Sequence, residues 1–138
     1  MAALLSVRDL EARYGDTRVL RGVTFEVAEG GITTILGANG AGKTTTLRPV
    51  CGMVKTGGEI MLAGKRIEGR PTESIVRLGV AHVPEGRGTF VQLTVQENLR
   101  LGAYARRDPA NLDQDIERVC RYFPVLAERR NQVAGTLS

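Results

Sequence analysis

The sequence predicts an α/β fold, with strands and helices mixed over the first two thirds and helices dominating the last third. Three observations predict it. A short β-branched run, "ITTIL" at residues 32–36, leads straight into the glycine-rich "GANGAGKTTT" at residues 37–46, and a helical pattern follows to about Cys51. A second short apolar run, "VAHV" at residues 80–83, comes after a helical stretch bounded by Thr72 and Gly79. From Thr94 onward the pattern is helical, in "TVQENLRLGAYARR" and "ANLDQDIERVCRYF".

The elements follow in order. Residues 4–13 mix apolar and charged positions in short alternations and reach Tyr14-Gly15-Asp16, a turn signal. Residues 18–27 alternate more cleanly and read as a second strand, and "AEGG" at 28–31 reads as a turn. The runs at 32–36 and 80–83 suit strands buried in a parallel sheet. Gly57-Gly58 marks a turn, and residues 59–67 form a hairpin bending at Ala63-Gly64. Thr72, after Pro71, caps a short helix that Gly79 stops. Thr94 and Glu97 match a capping box. Pro49 lies about two turns into the helix after the glycine-rich loop. It removes a donor there and crowds the carbonyl of Thr45, at roughly 3 kcal/mol if the helix stays straight, so a kink or an end near Arg48 is expected.

A length of 138 residues suggests one domain with a real core. The net charge of +4 is compatible with a polyanionic ligand. The basic pairs Lys65-Arg66, Arg106-Arg107 and Arg129-Arg130 are scattered and aromatics are few, which argues against a nucleic-acid surface. Cys51 and Cys120, with one histidine in the chain, cannot build a four-ligand zinc site, and a reducing compartment is the simple reading. No apolar stretch approaches the roughly 18 residues that span a bilayer, and the start has no basic leader. Direct membrane insertion is not expected; work at a membrane would go through a partner.

"GANGAGKT" fits G-x-x-x-x-G-K-[ST] with a β-branched run before it and a helix after it. A triphosphate tail needs backbone N–H groups around it and side chains out of the way. Gly37, Gly40 and Gly42 permit that approach, with Ala38, Asn39 and Ala41 completing the loop. The helix N-terminus aims its free N–H groups and dipole at the phosphates. Lys43 supplies a mobile charge, Thr44 a hydroxyl oxygen for Mg²⁺, and Thr45 a further phosphate contact. The motif alone leaves small-molecule kinases and transport ATPases open. A GTPase would want D-x-x-G and N-K-x-D, and neither occurs.

The chain resembles the ATP-binding subunit of ABC transporters. "ARYGDTRVLRGVTFEVAEGGITTILGANGAGKTTTLR" looks like the start of that family, "GGEIMLAGKRI" like its hairpin, and "GVAHVPEGRGTFVQLTVQENL" like the loop linking nucleotide state to the membrane subunits. "TLS" at residues 136–138 looks like the start of the L-S-G-G-Q signature. The V-P-E-G-R form, with Glu85 where most members carry Gln, is similar to subunits of branched-chain amino-acid uptake systems of the LivF type.

The resemblance implies a P-loop ATPase of the ABC type. Its parts would be an antiparallel β subdomain with a partial nucleotide-binding core over about 1–93 and a helical subdomain over about 94–138. It implies that Tyr14 stacks on adenine and Val19 touches the base or ribose. Glu85 would ligate Mg²⁺ or position water, and Ser138 would face the γ-phosphate held by a second ATP-binding subunit. It further implies membrane-spanning permease subunits as partners, residues 86–93 against one of their helices, and a place on the cytoplasmic face of the cell membrane. The only histidine, His82, precedes Glu85 and does not match the family's catalytic histidine. The family's remaining catalytic parts follow the signature, so these 138 residues alone are expected to bind MgATP weakly at best and to be inactive as an ATPase; with apolar strand edges left exposed they are expected to be poorly soluble or partly molten. A non-catalytic nucleotide-binding short form is the alternative.

Overall fold

The structure, a computed structural model, describes residues 3–86, 88–106 and 108–137. The chain divides into two compact units, Met1–Ala81 and His82–Ser138.

The first unit is built on an antiparallel sheet. Strands β1 (Ala3–Tyr14), β2 (Thr17–Ala28), β3 (Lys55–Leu62) and β4 (Lys65–Arg66) lie in the order β2-β1-β3-β4. Helices α1 (Lys43–Val50) and α2 (Thr72–Val76) contribute to the same core. Val7, Leu10, Ala12, Leu20, Val50, Ile60, Ile67 and Ile75 form that core. The hairpin at Ala63-Gly64 is as expected, with φ of 46° and 74° at its two central residues, the left-handed pair that suits twisted strands.

Gly57-Gly58 is not a turn but the inside of β3. It sits opposite a bulge in β1, where Arg8 pairs with Glu59 and Glu11 with Gly57, so β1 carries one extra residue. Asp9 takes φ 49° there, and its N–H is satisfied by the Thr24 hydroxyl at 3.0 Å. The bulge has a packing purpose. The apolar positions Leu5, Val7, Leu10 and Ala12 slip phase by one between Val7 and Leu10. Without the extra residue, strict alternation would turn Leu10 and Ala12 to solvent; with it, Val7, Leu10 and Ala12 are all fully buried.

Helix α1 runs two residues past Arg48 and then stops. Pro49 is inside the helix, buried in the core, and Thr45 loses one intrahelical donor. The stop is a Schellman motif: Met53 N–H donates to the Arg48 carbonyl and Gly52 N–H to the Pro49 carbonyl, both at 3.0 Å, with Gly52 at φ 69°. Thr72 does not cap α2. Pro71 holds the cap position, Thr72 is the first helical residue, and its hydroxyl donates to the Gly52 carbonyl at 3.3 Å. Gly79, at φ 98°, ends that stretch as expected.

The two runs expected as buried parallel strands are not strands. Ile32 is 97% exposed, Leu36 87% and Val83 91%. Both runs lie outside every ladder among the described residues. A parallel strand is stable when neighbours bond both its edges and cover both its faces. The local sequence supplies β propensity but no such neighbour, and propensity alone does not hold a strand in water.

In the second unit, α3 (Val95–Gly102) opens with the expected capping box: Glu97 N–H donates to Thr94 Oγ1 at 3.2 Å, and Thr94 N–H to Glu97 Oε2 at 2.7 Å. Helices α4 (Leu112–Tyr122) and α5 (Pro124–Glu128) follow. Arg100 pairs with Asp113 at 2.7 Å and Arg130 with Glu117 at 2.9 Å, exposed contacts of small individual worth. Residues 91–95 are laced to residues 132–135: Val95 N–H donates to Gln132 O, Ala134 N–H to Leu93 O and Gly135 N–H to Val91 O, at 2.8–3.0 Å.

Two stability predictions follow from the sheet. A Cβ at Gly58 would stand 2.4 Å from the Asp9 carbonyl oxygen, whereas one at Gly15 would meet nothing within 4 Å. Gly58→Ala is expected to cost about 2 kcal/mol or more, and Gly15→Ala about 1 kcal/mol. Urea unfolding of the two variants checks the difference. The second concerns Glu68. Its carboxylate accepts from Ile60 N–H at 3.2 Å and from Arg66 Nε at 2.5 Å. Burial pushes this carboxyl up, but bonds from its own backbone, Arg66 and Ile60 outweigh that and hold it below the ordinary 4.5. A carboxylate lowered on folding stabilises above its unfolded value, and the contribution is lost as pH falls through the folded one. Wild type should therefore lose more stability than Glu68→Gln as pH falls from about 5 to about 3, through and below that ordinary value. Equal losses in thermal melts would remove Glu68 as the cause.

Candidate functional site

The glycine-rich loop belongs to the first unit and ends at α1. Gly40 and Gly42 adopt φ of 84° and 92°, values that side-chain-bearing residues rarely take. Gly37 does not need a left-handed φ, but a Cβ there would come within 3.1 Å of the Ala41 Cβ. Ala38 and Asn39 form the exposed rim between Gly37 and Gly40. The loop delivers the chain to α1 with no side-chain cap and no acidic residue in the first turn. The first intrahelical bond is Thr46 N–H to the Gly42 carbonyl at 2.8 Å. The N–H groups of Lys43, Thr44 and Thr45 precede that bond, so the positive end of α1 is left for an anion.

Lys43 folds back over the loop. Its Nζ donates to the Gly37 and Ala38 carbonyls, both at 2.7 Å, which holds the ammonium against the start of the loop. Thr44 is exposed at the helix start and Thr45 half-buried. Thr46 is buried, and its hydroxyl donates to the Gly42 carbonyl at 2.9 Å, bracing the loop rather than offering itself to a ligand. The arrangement can hold a phosphate chain through backbone N–H groups, one mobile cation and hydroxyls.

Tyr14, at the end of β1, is 39% exposed, and Val19 on β2 is 42% exposed. Both belong to the same unit as the cradle. The Tyr14 phenol oxygen accepts from Arg48 Nη1 at 2.9 Å. Sequence reading missed Arg48, whose only signal was its place in the last turn of the helix after the loop. Ser138 lies outside the described residues.

Glu85 and His82 are in the second unit, on an irregular segment, Glu85 exposed and His82 half-buried. Phe90 on the same segment is 61% exposed. Its backbone is held by Asn98, another residue the sequence reading missed. Phe90 N–H donates to Asn98 Oδ1 at 2.8 Å, and Asn98 Nδ2 donates to the Phe90 and Thr94 carbonyls at 3.0 and 2.9 Å. An amide one step beyond the capping-box glutamate, where Asn is a poor helix former, was the available signal. Phe90, Val95, Asn98, Leu99, Leu126 and Leu137 are among the residues lining an apolar groove of about 430 Å³.

Among the described residues no group of three His, Cys, Asp or Glu side chains is placed to hold a metal ion. Nor is any helix among them long and apolar enough to cross a membrane.

Residues 20–138 match the ABC transporter family. The chain is 40% identical to the high-affinity branched-chain amino acid transport ATP-binding protein BraG of Pseudomonas aeruginosa, over 98% of this chain and 58% of that protein. It is 32% identical to the probable branched-chain amino acid transport ATP-binding protein LivF of Archaeoglobus fulgidus, over 98% of this chain and 57% of that one. A relative named for another cargo, the Fe(3+) ions import ATP-binding protein FbpC 2 of Rhodococcus jostii, is 35% identical over 98% of this chain and 40% of its own length. Among solved structures, an ATP-binding subunit of an ABC transporter superposes with a TM-score of 0.85 at 33% identity, covering 98% of this chain and 56% of that one. The chain thus spans under three fifths of the length of these relatives. With its cradle, hairpin sheet and helical unit matched together, the chain belongs to the ABC transporter family, in the α/β fold of its ATP-binding cassettes.

Proposed function

We infer that the chain is the nucleotide-holding part of an ATP-binding subunit that drives import, with branched-chain amino acids as the cargo. The observation that carries the first half is the cradle. Two left-handed glycines feed an uncapped helix start, with Lys43 folded over the loop. The triphosphate would lie on the N–H groups of residues 40–45, with Lys43 moving from the loop carbonyls to the phosphate oxygens. Tyr14 and Val19 would receive the base. Mg²⁺ would be held mainly by the phosphates and water, with Thr44 as a protein ligand and Glu85 as a second. That is the ordinary mode for this ion and needs no carboxylate cage.

Turnover asks for more than this cradle. Lys43 bonds two carbonyl oxygens, and the first turn of α1 has no acidic side chain. Nothing in the cradle itself serves as a general base for water. These 138 residues are therefore expected to bind MgATP weakly at best and not to hydrolyse it. Hydrolysis would need the family's catalytic parts that follow the signature as well as a second ATP-binding subunit, with Ser138 facing that partner's γ-phosphate. The cargo reading is supported by kinship with BraG and LivF and by the V-P-E-G-R segment. The permease reading is supported by the apolar groove beside Phe90, an apolar patch suited to a partner helix. Residues 86–93 would meet that helix, Arg87 among them although it lies outside the described residues. The protein would then work at the cytoplasmic face of the membrane without inserting into it.

Lys43→Ala is expected to weaken MgATP binding about 10-fold or more, the worth of a charge-assisted bond to phosphate. Titration calorimetry measures it; unchanged affinity would sink the cradle reading. Phe90→Ala at the native locus is expected to depress uptake of labelled leucine several-fold while the purified variant binds MgATP as wild type does. Normal leucine uptake would reject the docking surface. Undiminished leucine uptake in a Lys43→Ala strain, with another cargo lost, would reject the cargo.

A further inference from the structure

A side-chain hydrogen bond links the helix that follows the phosphate cradle to Tyr14. Arg48 sits in the last turn of α1, and Tyr14 sits 34 residues earlier at the end of β1. Its Nη1 donates to the phenol oxygen at 2.9 Å, and its Cζ lies 5.8 Å from the ring centroid. Among the described residues Arg48 enters no ion pair, and Glu11 on β1 is taken by Arg18 at 2.8 Å and Arg13 at 3.7 Å. Among the described residues its side-chain partner is the tyrosine.

We propose that Arg48 is a positioning residue for the nucleotide base, acting through the Tyr14 hydroxyl. It rests on the reading of Tyr14 as the surface that receives the base. An exposed tyrosine at a strand end, followed by the Gly15 turn, is free to rotate about χ1 and χ2. A base stacking on it would have to immobilise the ring first. The Arg48 bond ties the phenol oxygen to the C-terminal turn of the helix whose N-terminus faces the phosphates. The planar guanidinium presents fixed N–H directions, so the bond restricts the ring more than a flexible ammonium would. The eight-residue helix, roughly 12 Å long at its usual rise, then acts as a spacer between phosphate and base positions. The gain is preorganisation: the ring is placed before the nucleotide arrives.

A positioning role separates from a charge effect by comparing two ligands, MgATP and magnesium tripolyphosphate, titrated into the 138-residue chain by calorimetry. Tripolyphosphate fills the cradle and has no base. Wild type should prefer ATP. Arg48→Ala should cut that preference about fivefold, the worth of one neutral-acceptor hydrogen bond, and leave tripolyphosphate affinity unchanged. Tyr14→Phe keeps the ring and removes the acceptor, so it should show the same loss, and Arg48→Ala added to it should cost nothing further. The proposal falls if Arg48→Ala weakens both ligands equally, or if it costs as much on the Tyr14→Phe background as on wild type. Should Arg48→Ala fail to give a folded thermal transition, Tyr14→Phe decides alone, and full retention of the ATP preference overturns the proposal. A wild-type chain that binds tripolyphosphate and ATP equally would instead refute the base platform, and the positioning role with it. Loss of tripolyphosphate binding in wild type would refute the cradle.

Discussion

Helix α1 is fixed at both ends by glycines in left-handed conformations, Gly42 at φ 92° and Gly52 at φ 69°, and the first unit depends on that. The first glycine lets the loop enter the helix without a cap, so the N–H groups of the first turn stay available. The second ends the helix in a Schellman turn and brings the chain back toward the sheet. A Cβ at Gly52 would stand 2.7 Å from the Arg70 carbonyl oxygen and 2.9 Å from the Ile75 side chain, so the stop is also a packing site. Between these ends, buried Thr46, Pro49 and Val50 secure one face of the helix. Pro49 would be costly in the middle of a long helix, but here the helix ends one residue later. Its ring fills core volume where the lost donor matters least.

The sheet below solves a different problem. Its first strand carries apolar residues at two phases, and one bulge reconciles them. Gly58 makes room for the bulge on the facing strand, and Thr24 takes up the N–H that the bulge frees. Three separated positions thus serve one correction. Because β1 ends at Tyr14, any slip in its register would also move the aromatic relative to α1. Packing of Leu10 and placement of Tyr14 are one constraint.

Local chemistry was legible in the sequence. The hairpin at Ala63-Gly64, the capping box at Thr94 and Glu97, the stop at Gly79 and the loop-to-helix transition at Lys43 each depend on a few neighbouring residues. What could not be read depends on residues distant in sequence. Gly57-Gly58 looks like any turn until β1 is laid beside it. Thr72 looks like a cap until Pro71 takes that position and the Gly52 carbonyl claims the hydroxyl. The runs at 32–36 and 80–83 have strand composition, yet a parallel strand is defined by its neighbours, and composition cannot supply them. Arg48 was missed for the same reason: its partner is a phenol 34 positions away. Asn98 bonds groups only four to eight positions back, and its local signal went unread.

Asn98 shows how the second unit makes one body from pieces that look independent in sequence. Its amide bonds the backbone of Phe90 and Thr94, so the irregular segment before α3 is tied to the helix itself. The same segment is laced through Val91, Leu93 and Val95 to residues 132–135, and Gly135 lies so close to Val91 that a Cβ would stand 2.8 Å from its carbonyl oxygen. A displacement at Phe90 therefore cannot be absorbed by bending the loop. It must either break several backbone bonds at once or move α3 and the 132–135 segment together. Of the two, concerted movement costs less, because it keeps every bond in the lattice. Phe90 is thus carried on a body that moves as one piece rather than on a flexible flap.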